Sequence, residues 1–375
     1  MKIALFSSTI DVRNGYGNLT YEYCLNLYKK GIDFVLFLPA AEKKVIETLK
    51  LVNLPFKIKY SLPKYIFRVK LHNFLPYLKW VDVSDFNFVH SLLDFPYCFL
   101  AALSAKKFNL PFIMGAQGTY GVLPLTYFVE KYLLKWSYRQ AKVVIVPSEF
   151  TKRKILELSK ENYPILIIHN GVNFTRFQKE VDLSGLRKYY GGKKILLTVG
   201  GLKKRKGQDL VIEALSKIKD KLPNIKYLLV GEGDWKNYLK KIVVENNLSD
   251  FVEFIGNVQA DDLVSYFKLC DIYIHTPKVV NYNFEGFGIV YLEAGACKKP
   301  IIATDAGGIK DAVIPNKTGL IVGDGDVPGI VESITKLLAD DKLRLWLGQN
   351  GYEYAKEHDW RLIVDKFIEL YKKYE

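Results

Sequence analysis

Short apolar runs alternate with amphipathic stretches along the whole chain, the pattern of α/β units built around parallel sheets. In the first half the pattern predicts strands at Lys2–Phe6, Phe34–Phe37, Phe86–His90, Phe112–Met114, Val143–Val146 and Ile165–Ile168. Helices are expected between them, among them Leu19–Lys30, Tyr97–Lys107 and Tyr127–Gln140. A polar, glycine-containing break at Thr175–Lys194 interrupts the rhythm. It restarts with strands at Ile195–Val199, Tyr227–Val230, Val252–Ile255, Ile272–His275, Ile301–Thr304 and Gly319–Val322, and a last helix spans Arg361–Tyr374. Two Rossmann-like halves of an α/β protein, joined near residue 180, account for this order.

Composition narrows the picture. The 375 residues are 49% hydrophobic and 25% charged, an ordinary globular mix that excludes wholesale disorder. Lys and Arg number 54 against 40 Asp and Glu, a net +14. Residues 1–177 hold 24 basic and 12 acidic residues, so +12 of that excess sits in the first half. An anionic neighbour is expected there: a phosphate-bearing small molecule, an anionic membrane surface or nucleic acid. Four widely spaced cysteines (Cys24, Cys98, Cys270, Cys297) fit neither a metal spacing nor a disulfide framework, which reads as a reduced, cytoplasmic chain. Met1–Ile10 lacks the features of a signal peptide. The longest uncharged run, Phe108–Val129, is interrupted by Pro111, Pro124 and three glycines, so it reads as a strand and loop, and no transmembrane helix is expected.

Two segments carry candidate chemistry. In Asn283–Ala296 (NFEGFGIVYLEAGA), Glu285 precedes Gly286, Phe287, Gly288 and Ile289, and Glu293 follows one helical segment later. A helix beginning near Phe287 or Gly288 would aim its first, unpaired amides and its dipole at an anion, with one carboxylate on either side. The bland alternative is a glycine turn with two incidental glutamates. In residues 199–215 (VGGLKKRKGQDLVIEAL), Lys203, Lys204, Arg205 and Lys206 follow a strand end, where open α/β sheets bind ligands. A solvated basic turn is the plainer reading of that run.

Together these segments resemble the retaining glycosyltransferases of family 4 (glycosyl transferases group 1). The stretches VPSEFTK (146–152), IHNGVNFTRF (168–177), LVGEGDW (229–235), VEFIGNV (252–258) and IIATDAGGIKDAVIPNKTGLIV (301–322) extend the resemblance over most of the chain. It implies the GT-B fold, with two Rossmann-like domains facing each other across a cleft: residues 1–178 for the acceptor, 179–357 for the nucleotide sugar, and a helix at 358–375 crossing back. It also implies transfer of a hexose-type sugar from a nucleotide-diphosphate sugar, with retention and with neither metal nor cofactor. By position, Glu285 would hold donor-sugar hydroxyls and Glu293 the ribose. Amides around Gly286, Phe287, Gly288 and Ile289 would hold the diphosphate, and Lys206 would neutralise it as it leaves. Gly256, Asn257 and Val258 would lie beside the base, and Gly15 and Gly17 would let backbone approach the ligands.

Two departures from the family stand out. Gly201 replaces an arginine that many members carry, and Arg205 is the residue placed to supply its charge. Gln117-Gly118 stands where many members have histidine-glycine, so a base at that position is not expected, and a front-face displacement needs none. Asp324-Gly325-Asp326 resembles a metal-binding pair but falls well beyond the phosphate segments. Residues 50–80 combine seven basic residues and no acid with seven aromatic ones, which suits an anionic bilayer, single-stranded nucleic acid or a solvated basic face, and the resemblance favours the bilayer over the nucleic acid. The acceptor is expected to be a glycan or a lipid-linked sugar met at the membrane's cytoplasmic face. A nucleotide-sugar epimerase is the nearest rival. A nucleic-acid-binding protein is the rival of another class, but it leaves Glu285, Glu293 and Lys206 unexplained, so no nucleic-acid partner is expected.

Overall fold

The computed structural model describes residues 1–12, 14–39, 51–54, 81–93 and 95–374. Two compact units emerge: Met1–Asn170 together with Trp360–Glu375, and Gly171–Asp359. The divisions fall at 170 and 359 instead of the 178 and 357 expected. The first shift has a physical cause: Val172, Phe174 and Phe177 are buried in the core of the second unit. The Val172 amide also donates to the His358 carbonyl (2.8 Å), tying the two ends of that unit together.

In the first unit the elements run β1 (Lys2–Phe6), α1 (Gly15–Lys29), β2 (Asp33–Pro39), β3 (Leu51–Leu54), β4 (Phe88–Ser91), α2 (Tyr97–Lys107), β5 (Phe112–Gly115), α3 (Thr119–Val122), α4 (Glu130–Gln140), β6 (Val143–Val146), α5 (Glu149–Ser159) and β7 (Ile165–Ile167). All seven strands are parallel, in the order β3-β2-β1-β4-β5-β6-β7. Helix α1 begins at Gly15, four residues before the apolar pattern starts, because the Asn14 side chain accepts from the Gly17 amide (2.8 Å) and caps it. The single helix expected over 127–140 is shorter. A 3-10 turn at Leu123–Thr126 precedes it, and Tyr127 is extended (φ −101°, ψ 148°). Strand β3 was not visible in the sequence pattern. The rest of the basic, aromatic stretch at 50–80 lies outside the described residues.

The final helix, α15 in chain order (Trp360–Tyr374), belongs to the first unit. Its buried stripe of Trp360, Ile363, Val364, Phe367, Leu370 and Tyr371 follows helical spacing and packs with Leu19, Tyr23 and Leu27 of α1.

The second unit contains α6 (Phe174–Gln178), α7 (Ser184–Tyr190), β8 (Lys194–Val199), α8 (Gln208–Ile218), β9 (Ile225–Val230), α9 (Lys236–Glu245), β10 (Val252–Gly256), α10 (Leu263–Leu269) and β11 (Ile272–His275). It continues with α11 (Ile289–Ala296), β12 (Ile301–Thr304), α12 (Ile309–Ala312), β13 (Gly319–Val322), α13 (Val327–Ala339) and α14 (Asp341–Glu357). Its six parallel strands are ordered β10-β9-β8-β11-β12-β13. Two apolar clusters include alternate residues of the same strands, Ile195, Leu197 and Val199 in one and Leu196 in the other. The sheet is therefore covered on both faces, as a parallel sheet must be. The strand order reverses direction between β8 and β11, so the carboxyl ends of these two strands flank the switch point where such sheets bind ligands. Among the described residues, no helix is long and apolar enough to cross a membrane.

Candidate functional site

The segments singled out in the sequence meet at this switch point. The loop leaving β8 tightens into a 3-10 turn at Lys204–Lys206 and enters α8 through Gly207, whose backbone is left-handed (φ 70°, ψ 17°). A Cβ on Gly207 would sit 1.7 Å from the Thr276 carbonyl oxygen, so only glycine lets the loop approach this closely. Three bonds pin the approach. Thr276 Oγ1 donates to the Gly207 carbonyl (2.8 Å), the Lys278 amide donates to the Arg205 carbonyl (2.8 Å), and Lys278 Nζ pairs with Asp209 (2.7 Å). The two strand-end loops are thus one fixed body.

The fixation brings together side chains 79 and 80 positions apart. Lys206 Nζ lies 2.5 Å and Arg205 Nη1 3.0 Å from the same oxygen, Oε2, of Glu285. All three side chains are largely withdrawn from water, with exposures of 14%, 24% and 16%. Burial alone would raise the Glu285 carboxyl. The Lys206 ammonium, the Arg205 guanidinium and His275 outweigh it and hold the carboxyl well below the usual carboxylate range. The Lys206 ammonium is shifted down by its own burial, against the opposing pull of Glu285. Backbone contacts hold Glu285 too: its carbonyl accepts from the Gly308 amide (2.8 Å), and a Cβ on Gly307 would collide with that carbonyl at 2.4 Å.

Helix α11 starts at Ile289, four positions after Glu285, slightly later than the Phe287 or Gly288 expected. Gly286, Phe287 and Gly288 are buried, and Ile289 is half-buried. Gly288 is left-handed (φ 91°), and a Cβ there would meet the Tyr291 ring at 2.6 Å. No side chain caps the helix start; the Tyr291 amide turns back onto the Gly288 carbonyl (3.0 Å), which leaves the amides ahead of it, at Ile289 and Val290, as the ones a helix start offers to an anion. Tyr291 is fastened to the end of β11, its hydroxyl donating to the His275 carbonyl (2.9 Å). On the other side, α11 touches α14 backbone to backbone: a Cβ on Gly295 would lie 2.6 Å from the Gly351 carbonyl oxygen. Glu293, inside α11, is 9% exposed.

His275 went unnoticed in the sequence as a site residue. It is fully buried at the end of β11, within the field of Lys206, Glu285 and Arg205, and burial pushes its imidazole down to about 3. Neither ring nitrogen has a hydrogen-bond partner among the described residues. The signal was present only as a strand-final histidine. Gly207 and Thr276 were missed as well, since their importance lies in a contact across 69 residues.

The remaining predicted residues are placed as follows. Gly201 is loosely surrounded, an added Cβ there lying 3.7 Å from the Glu232 carbonyl oxygen, and its own carbonyl accepts from Gln208 (3.2 Å). Gly256 ends β10 in a left-handed conformation (φ 81°), and its carbonyl accepts from the Gly231 amide. Asn257 beside it is exposed and Val258 half-buried. Asp324 accepts from the Val279 amide (3.2 Å) and Asp326 caps α13 (2.9 Å from the Gly329 amide), so both acids serve the fold.

In the first unit, the space beside Gly17 is filled by the Asp11 backbone (2.0 Å from an added Cβ). Gly15 is open. Gly118 (φ 124°) opens α3. Gln117 lines a small cavity with Tyr23, His90, Asn170 and Trp360. His90 there accepts or donates at Nδ1 to the Tyr371 hydroxyl (2.5 Å), which also bonds the Tyr23 hydroxyl.

Comparison with known proteins agrees with this architecture. Residues 186–354 match the model "Glycosyl transferases group 1", and residues 13–176 match "Glycosyltransferase Family 4". An uncharacterized glycosyltransferase of Methanocaldococcus jannaschii is 28% identical over 78% of this chain and 77% of its own length. A GDP-mannose-dependent alpha-(1-6)-phosphatidylinositol monomannoside mannosyltransferase of Mycolicibacterium smegmatis is 28% identical over 61% of this chain, and the match spans 62% of that relative. Among solved structures, Anabaena HepE in complex with UDP superposes with a TM-score of 0.82 at 19% identity, covering 100% of both chains. With the two family models adjoining at the join between the sheets, the chain belongs to the group 1, family 4 glycosyltransferases and is a glycosyltransferase of the GT-B fold.

Proposed function

We propose that the protein is a retaining hexosyltransferase that takes its sugar from a nucleotide-diphosphate sugar. The observation that carries this reading is the Arg205–Lys206–Glu285 cluster at a sheet switch point, whose Glu285 lies four positions ahead of the start of α11, a start with no side-chain cap. The diphosphate lies between the two cations and the first amides of α11, near Phe287, Gly288 and Ile289. Glu285 faces the hydroxyls of the sugar, Glu293 the ribose, and Gly256, Asn257 and Val258 the base. Gln117, Gly118, Gly15 and Gly17 of the first unit serve the acceptor. The relatives support a nucleotide donor: one is named for GDP-mannose, and the HepE structure holds UDP.

In the reaction, the bond from the anomeric carbon to the β-phosphate oxygen breaks and its electron pair stays on that oxygen. The acceptor hydroxyl attacks from the same face, and its proton passes to the departing phosphate. Lys206 and Arg205 offset the charge that develops there. The acceptor is a glycan or a lipid-linked sugar, and the +12 first half favours peripheral contact with an anionic membrane from the cytoplasm. The phosphatidylinositol-based acceptor in the mycobacterial relative's name points the same way.

The test is a thermal-shift panel with UDP, GDP, ADP and their sugar conjugates, on the wild type and on Glu293→Ala. One base series should stabilise the wild type and lose its effect in the variant. The matching sugar nucleotide is then supplied with acceptor, and the product's anomeric configuration is read by NMR. Inversion, or equal shifts with and without Glu293, would overturn the reading.

A further inference from the structure

The same oxygen of Glu285 that engages Lys206 also engages Arg205, so both cations proposed for the diphosphate already carry a counter-anion. We infer that Glu285 is a built-in competitor for the leaving diphosphate, whose charge drives release of the nucleoside diphosphate after transfer. This rests on the reading of Lys206 and Arg205 as diphosphate-binding residues.

The charge inventory gives the reason. Two cations and one carboxylate leave the resting cluster at net +1. The donor brings a diphosphate of about −2, with the sugar interposed between its β-phosphate and the carboxylate; after transfer the sugar is gone and the exposed terminal phosphate approaches an additional negative charge. Product and carboxylate then compete for the same two cations and repel each other at short range in a poorly hydrated place. Glu285 cannot escape that contest by taking up a proton, because the neighbouring cations hold it ionised. Its backbone is held by the Gly308 amide and by the close passage of Gly307, so the side chain is rooted beside both cations. The arrangement makes the site most welcoming when a neutral sugar covers the carboxylate, and least so when the bare diphosphate remains.

Glu285→Gln keeps the shape and removes the charge. It should bind UDP, GDP or ADP, whichever base the wild type accepts, at least about tenfold more tightly, equivalent to about 1.4 kcal/mol. Inorganic pyrophosphate should show the same gain, since the effect is owed to phosphate charge alone. Turnover should fall, with product inhibition setting in at correspondingly lower nucleotide concentration. Glu285→Ala, a second variant lacking the charge, should also tighten product binding, whereas Glu285→Asp should stay within about threefold of the wild type. Affinities are read by calorimetry on the full chain, below the melting temperature of each variant. Unchanged or weaker binding in both Glu285→Gln and Glu285→Ala, with Lys206→Ala still abolishing it, would overturn the inference and leave the diphosphate reading intact. If Lys206→Ala and Arg205→Ala bind nucleotide and pyrophosphate like the wild type, the diphosphate reading itself fails, and the inference with it.

Discussion

Adding one methyl group at Gly207 tests how far the cationic turn depends on a close backbone contact. Gly207→Ala places a Cβ 1.7 Å from the Thr276 carbonyl oxygen, and the two must part by more than about 1 Å before the contact becomes tolerable. Three bonds resist that separation: Thr276 to the Gly207 carbonyl, the Lys278 amide to the Arg205 carbonyl, and Lys278 Nζ to Asp209. The left-handed conformation (φ 70°) costs a non-glycine residue about 1–2 kcal/mol, and each strained hydrogen bond adds about 1 kcal/mol. A destabilisation of about 4–5 kcal/mol is expected. Gly192 supplies the control: its φ is 75°, and nothing lies within 4 Å of an added Cβ, so Gly192→Ala should cost only the conformational part, about 1–2 kcal/mol. Displacing the turn also pulls Lys206 and Arg205 out of register with Glu285, and an ångström of misplacement of this kind costs on the order of a hundredfold in turnover. Urea unfolding of both variants, with sugar-transfer rates measured below their midpoints, separates the two effects. Equal destabilisation by Gly207→Ala and Gly192→Ala, or a Gly207→Ala enzyme with normal turnover, would refute the reasoning.

Two further outcomes follow from buried polar groups. Tyr371→Phe removes the hydroxyl that joins Tyr23 to His90 and leaves both without that partner inside the first unit, so it should lower stability by about 2–4 kcal/mol in urea unfolding; a loss under about 0.5 kcal/mol would show that the cavity beside His90 re-satisfies them. His90 and His275, both pushed by burial from 6.5 to about 3, stay neutral in the fold but take up protons once unfolded, so their contribution is complete above pH 6.5 and is lost as the pH falls from there toward 3. Between pH 6.5 and 5, stability should therefore decline by up to about 1.4 kcal/mol per pH unit for each histidine, and His275→Asn should remove its share of the slope. A flat profile over that interval would contradict the burial of both rings.

The legible part of this protein was whatever repeats locally. Apolar runs located twelve of the strands, because a parallel strand covered on both faces must be apolar throughout, as Val143–Val146 and Ile301–Thr304 are. Strand β3 escaped because its four residues open a stretch whose charge and aromatic content dominated the pattern. The join between the units was set eight residues late for a similar reason: the polar break after Thr175 is conspicuous in sequence, whereas the burial of Phe174 and Phe177 in the second core is not. Strand-end position likewise singled out the Lys203–Lys206 run, and the glycines before a helix singled out Glu285, as candidates for a ligand site.

That a single oxygen of Glu285 would accept from both Arg205 and Lys206 could not be read from either segment. It depends on β11 lying beside β8, an adjacency created by the crossover of β9 and β10 to the far side of the sheet. It depends equally on Gly207 and Thr276, which close the last few ångströms and have no periodic signature. Local pattern therefore finds the loops that border such a site, while sheet order and glycine contacts decide which charges share an atom. For this chain that second level carries the chemistry. A carboxylate a few ångströms further off could hold a sugar hydroxyl equally well, yet it would exert no claim on the two cations, and the proposed release of a diphosphate rests on that claim.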